Sequence, residues 1–214
     1  MNTLNIKGIS KVIKGSPVLK SISLELSSGQ ICGLIGKNGS GKTMLIRAIS
    51  GLMKPTDGCI TWNDKQLYKD IDFIPNLGVI IENVGLYPEF TGFQNLKLLS
   101  HIRNLVTDEE INIALTRVGL DPHDNRTVKK YSLGMRQKLA IAQAIMEKPE
   151  ILILDEPTNA LDEASTIRVR EIVAEEAQRG AMIIIASHNK DDIYGLCHMV
   201  YIMESGIIKQ EETN

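Results

Sequence analysis

The residues Gly36-Lys37-Asn38-Gly39-Ser40-Gly41-Lys42-Thr43 follow the spacing G-x-x-x-x-G-K-[ST], after an apolar run and before the helical pattern Met44 to Ser50. In that setting the glycines let backbone amides curl around phosphate oxygens, and the helix start adds the positive end of its dipole. Lys42 is placed to meet the outer phosphates of a nucleotide, and Thr43 to offer a hydroxyl to Mg²⁺.

A second set of polar residues stands at the ends of apolar runs. Ile151-Leu152-Ile153-Leu154 leads into Asp155 and Glu156, and Met182 to Ser187 leads into His188. Open α/β sheets bind ligands at the carboxyl ends of their strands, so Asp155 is expected to reach Mg²⁺, Glu156 an attacking water and His188 a γ-phosphate. Acids also favour helix N-termini, and Pro157 after them is compatible with that plainer role. In Tyr131-Ser132-Leu133-Gly134-Met135-Arg136-Gln137, Ser132 is placed to cap a helix that carries Leu139, Ala142, Ile145 and Met146 and stops at Pro149. His101, His123 and His198 are read as structural.

These groups need a scaffold. The runs Ile31 to Ile35, Ile151 to Leu154 and Met182 to Ile185 are continuously apolar, as in parallel strands buried on both faces. Leu4 to Leu26, broken at Lys14-Gly15-Ser16-Pro17, and Cys59 to Trp62 before Asn63-Asp64 read as antiparallel strands with turns. Thr91-Gly92-Phe93-Gln94 and Thr107-Asp108-Glu109-Glu110 have capping-box spacing, and Gly119 and Gly180 follow helical stretches. The stretch from about 85 to 148 is therefore expected to be mostly helical and inserted between strands, within one composite domain spanning 1–214.

Composition narrows the function classes. Hydrophobic residues make up 43% and charged residues 23%, which excludes disordered, collagen-like and disulfide-scaffold chains. No apolar run approaches the roughly 18 residues that cross a bilayer, and no signal segment opens the chain. Cys32, Cys59 and Cys197, without CxxC spacing, give neither a disulfide framework nor a metal cage. Residues 1–107 carry 12 basic and 7 acidic side chains and residues 108–214 carry 12 and 19, a front suited to an anion and a back richer in carboxylates. No basic stripe with interleaved aromatics exists, so no nucleic-acid partner is expected.

The order of motifs closely resembles the nucleotide-binding domain of ATP-binding cassette (ABC) proteins over nearly the whole chain: phosphate loop, serine-glycine helix start, acidic strand end, Asn159-Ala160-Leu161-Asp162 and strand-end histidine. The resemblance implies an α/β P-loop NTPase fold with a mixed, largely parallel sheet, an N-terminal antiparallel β subdomain and an inserted helical subdomain. It implies ATP and Mg²⁺ as cofactors and an ATPase that powers a separate integral membrane permease, which would hold the chain peripherally on the inner face of the membrane. On that resemblance Ser132 to Arg136 matches the signature, Asn159 to Asp162 the dimer-communicating loop and His188 the switch histidine. A head-to-tail dimer, of two copies or with a second ATPase subunit, would let Ser132 and Gly134 act on the partner's nucleotide.

Three positions depart from the common pattern. Leu133 stands where the signature usually has glycine, in a form that looks like a variant of bacterial peptide-antibiotic and bacteriocin-immunity exporters. The adenine-stacking aromatic falls on Ile13, which leaves an aliphatic contact with the base. Glu82 takes the position of the usual glutamine, where it would tune Mg²⁺. A soluble ABC-type ATPase acting on ribosomes or DNA is the alternative function; a regulatory module without turnover would require a damaged centre, which this chain lacks.

Overall fold

The computed structural model describes residues 1–81 and 85–211. In chain order the first elements are β1 (Thr3–Ile13), β2 (Ser16–Ser27), β3 (Ile31–Ile35), α1 (Lys42–Ile49), β4 (Asp57–Trp62), β5 (Lys65–Gln66) and β6 (Leu77–Ile80). Then come α2 (Gly92–Arg103), α3 (Asp108–Arg117), α4 (Leu133–Ile145), β7 (Ile151–Asp155), α5 (Glu163–Gln178), β8 (Met182–Ser187), β9 (Met199–Glu204) and β10 (Ile207–Glu211).

Two sheets form. The antiparallel one has the order β2-β1-β4-β5. Its β1–β2 hairpin turns at Lys14 and Gly15 alone, both in the left-handed region (φ 48° and 82°), so that Ser16 and Pro17 already pair as strand. Asn63 and Asp64, with φ 47° and 64°, make the equivalent turn between β4 and β5. Leu4, Ile6 and Ile9 are all buried although the last interval is odd, because the register shifts between Ile6 and Ile9 and the bulge restores the inward face.

The second sheet has the order β10-β9-β3-β8-β7-β6 and is parallel except for β10 on its edge. Every residue of β3, β7 and β8 is buried, which is why these strands are continuously apolar rather than alternating until the Asp155 and Ser187 that end β7 and β8. Successive residues serve opposite cores. Ile31, Leu152 and Ile183 face helices α3, α4 and α5, whereas Cys32, Ile151 and Met182 face α1 and the antiparallel sheet.

Helices α2, α3 and α4 all lie between β6 and β7, and the other described residues of that stretch are loop apart from a short 3₁₀ turn at Val128–Lys130. Both expected capping boxes form, Thr91 with Gln94 and Thr107 with Glu110. Gly119 (φ 73°) and Gly180 (φ 101°) end α3 and α5 in the left-handed conformation that glycine adopts most cheaply. His198 has the structural place read for it: its Nδ1 accepts from the Ile31 amide at 3.0 Å. Among the described residues no helix is long and apolar enough to cross a membrane.

Candidate functional site

The phosphate loop joins β3 to α1. A Cβ on Gly36 would lie 2.4 Å from the Met203 carbonyl oxygen, and Gly41 has φ 113°, so these two glycines are required by close approach and by backbone conformation respectively. No side chain caps the start of α1, which leaves its amides for an anion. Lys42 is buried, and its ammonium donates to the Gly36 carbonyl at 2.5 Å and reaches that of Lys37 at 3.5 Å, so the loop wraps its own lysine. The Ser40 hydroxyl is buried with no hydrogen-bond partner inside the loop, a donor suited to a phosphate oxygen.

Strand β7 brings Asp155 and Glu156 to the same place. Thr43 Oγ1 donates to Asp155 Oδ2 at 2.6 Å, so the two oxygens expected at the metal do converge. A hydroxyl and a carboxylate beside a phosphate loop fit Mg²⁺, which takes oxygen ligands, keeps several waters and is completed by substrate phosphates.

Glu156 has φ 50°, an uncommon conformation for a residue with a side chain. Its amide donates to the Ala186 carbonyl on β8 at 2.8 Å, and its carbonyl accepts from Asn159 at 3.3 Å and from the Gln137 side chain at 3.4 Å. Held this way, the carboxylate faces two partners. Oε2 lies 2.8 Å from His188 Nδ1 and accepts from the His188 amide at 3.3 Å; Oε1 is 3.5 Å from Lys42 Nζ, an ionic contact too long to count as a hydrogen bond. A carboxylate between the lysine of a phosphate loop and a histidine at a strand end can take a proton from water next to a terminal phosphate.

Most of these residues border a cavity of about 980 Å³ that runs from the phosphate loop to α4, but Gly36, Ser40 and His188 do not line it. Lys37, Asn38, Gly39, Gly41, Lys42 and Thr43 line it, together with Asp155 and Glu156. Ile13 does not; it closes the β1–β2 hairpin opposite Ser16, and Pro17 and Val18 border the cavity instead. Ser132 caps α4 by accepting from the Met135 amide at 3.1 Å, but neither it nor Gly134 lines the cavity. Gly134 packs on the loop after Glu156: a Cβ there would be 2.9 Å from the Ala160 carbonyl oxygen. Glu82 lies outside the described residues.

Two contributors carried no assigned role in the sequence. Gln137 reaches the Pro157 carbonyl at 3.0 Å, and Asp192 binds Thr158 and Ser187. Both act on distant backbone or side chains, and neither stands in a motif whose spacing announces such a contact.

Comparison with known proteins agrees with this geometry. The family described as ABC transporter matches residues 19–159. The chain is 49% identical over 209 residues to the uncharacterised ABC transporter ATP-binding protein YybJ of Bacillus subtilis (strain 168), covering 98% of this chain and 96% of that one. It is 33% identical over 215 residues to the lantibiotic transport ATP-binding protein SrtF of Streptococcus pyogenes, covering 98% and 90%. A solved ATP-binding subunit of an ABC transporter superposes with a TM-score of 0.87 at 27% identity, over 97% of this chain and 89% of that one. The chain belongs to the ABC transporter family, as an ATP-binding and ATP-hydrolysing subunit of a membrane transport system.

Proposed function

We propose that the chain drives a separate permease that moves a peptide antibiotic across the membrane, with Glu156 as the general base of ATP hydrolysis. The observation that carries the mechanism is the Glu156 carboxylate fixed between His188 and Lys42 at the mouth of the phosphate loop. The loop amides and Lys42 would bind the outer phosphates, Glu156 would take the proton of the attacking water, and His188 would stabilise charge on the γ-phosphate. Such a reaction needs positioning and electrostatics rather than covalent chemistry. Mg²⁺, held by Thr43 and Asp155, would neutralise phosphate charge.

A head-to-tail dimer is part of this proposal. Ser132 and Gly134 do not line their own chain's cavity, although Leu133 between them does, and Leu133 is 69% exposed; a helix start so open to solvent supports a signature helix that serves the nucleotide of a partner. The substrate class follows from the named relative, a lantibiotic transport ATP-binding protein. The permease would hold the chain on the inner face of the membrane.

The test is to tag the chain in its own host, trap it with ATP, and identify what it holds. A multi-spanning membrane protein, together with raised sensitivity of the deletion strain to a peptide antibiotic, is the expected result. Recovery with ribosomes or DNA, and an unaltered sensitivity, would favour the soluble ABC-type alternative.

A further inference from the structure

Asp192 is 4% exposed, yet it is a carboxylate, and three side chains from three separate segments converge on it. Thr158 Oγ1 donates to Oδ2 at 2.6 Å, Ser187 Oγ donates to the same Oδ2 at 3.1 Å, and Arg170 of α5 donates to Oδ1 at 3.2 Å. The Arg170 guanidinium is itself anchored on the Asp191 carbonyl at 2.6 Å. Arg170 balances the charge of the buried carboxylate, and the hydroxyls satisfy its second oxygen.

The positions of the two hydroxyls give the arrangement its meaning. Thr158 is two residues after Glu156, and Ser187 is the residue before His188. One oxygen atom therefore ties together the two chain segments whose side chains meet in the 2.8 Å Glu156–His188 contact. Ser187 Oγ also lies 3.4 Å from Glu156 Oε2, but a hydroxyl has one hydrogen, and the shorter contact is to Asp192. Glu156 keeps its left-handed backbone only while its surroundings over-determine it, and Thr158 held by Asp192 is one of those constraints.

We propose that Asp192 is the positioning residue that sets the Glu156 carboxylate against His188, acting through Thr158 and Ser187. It does not line the cavity. The proposal rests on the assignment of Glu156 as the base.

The test is steady-state ATPase kinetics on the full-length chain, with ATP affinity measured separately by calorimetry. Asp192→Asn keeps the shape and removes the charge; kcat should fall at least about tenfold, since small misplacement of a catalytic group is costly, while ATP affinity stays within about threefold. Thr158→Val, which removes only the hydroxyl, should lower kcat in the same direction, and Thr158→Ser, which keeps it, should restore the rate. Because both residues act through one contact, Asp192→Asn with Thr158→Val should be no slower than Asp192→Asn alone. Unchanged kcat in Asp192→Asn, a loss confined to ATP affinity, or additive losses in the double variant would each overturn the proposal. If Asp192→Asn does not fold, the Val and Ser variants at Thr158 decide it: equal rates in both overturn it. If Glu156→Gln still turns over, the base assignment fails; if Glu156→Gln is inactive and Asp192→Asn is not impaired, the positioning role alone fails.

Discussion

His188 Nδ1 lies 2.8 Å from Glu156 Oε2, while the other oxygen of the same carboxylate faces Lys42 Nζ at 3.5 Å. The Glu156 side chain thus links the end of β8 to the phosphate loop, and its orientation depends on a residue more than thirty positions away. His188→Ala removes the ring contact and the group expected at the γ-phosphate. It should lower kcat about a hundredfold, the usual cost of losing one stabilising donor, with ATP affinity little changed. A kcat within a few-fold of wild type would show that His188 does not matter for turnover.

Base selectivity follows from the cavity wall. Among the described residues lining it, none is aromatic; Pro17 and Val18 stand on the side of the β1–β2 hairpin, and Ile13 is not part of the lining. A purine held by aliphatic contact is poorly distinguished by its edge. ATP and GTP should be hydrolysed with kcat/KM values within about tenfold, or about 1.4 kcal/mol. A hundredfold preference for ATP would mean that an aromatic or a base-reading group reaches the site from a partner subunit.

Gly33, in the strand that leads to the phosphate loop, makes room for Ile193, one residue after Asp192. A Cβ on Gly33 would fall 2.3 Å from Ile193 Cγ2 and 3.0 Å from Cys197 Sγ. Ile193 is fully buried and cannot swing aside. Overpacking of this kind costs about 1–3 kcal/mol, or roughly 2–12 °C in Tm for a chain of this size. Thermal unfolding of Gly33→Ala checks this, and a Tm equal to wild type would show that the core beneath the strand end is slack.

The parts legible in the sequence were those whose physics is local. The phosphate loop, the caps at Thr91, Thr107 and Ser132, and the buried runs of β3, β7 and β8 each declare themselves within a few residues. The hairpin of β9 and β10 carried no such signal, because Met199 to Glu204 mixes exposed and buried positions next to the edge strand β10. Gly33 and Asp192 were illegible for a different reason. Their roles are set by contacts with Ile193 and Thr158 that only the folded chain creates, and an Asp in Lys190-Asp191-Asp192 looks like a solvated charge run. Ile13, located by counting back from Val18, pairs with Ser16 at the end of the β1–β2 hairpin and is not among the residues lining the cavity.

Acid should act on α3 through Glu110. Its hydrogen bond to Lys148, then those from the Thr107 amide and hydroxyl, pull its carboxyl down to about 2. A carboxyl lowered on folding stabilises the native state above its ordinary value of 4.5, and that contribution is lost as pH falls from there towards about 2. Glu110→Gln keeps an acceptor for the capping box but loses the charge. Urea denaturation should show the wild type more stable than the variant at pH 7, with the gap narrowing below about pH 4.5, and narrowing also in high salt because the group is exposed. A gap that widens on acidification would contradict the assignment.

The most direct measurement of the central claim is ATP turnover by Glu156→Gln, with sizing of the same sample in ATP and Mg²⁺. The amide preserves the shape of the side chain and its place beside His188 but cannot accept the proton of water. Turnover should fall by about 10² to 10⁴, the usual contribution of a general base, while ATP remains bound and the chain accumulates as a dimer. Hydrolysis at the wild-type rate would contradict Glu156 as the base, and a variant that binds ATP yet stays monomeric would contradict the head-to-tail assembly.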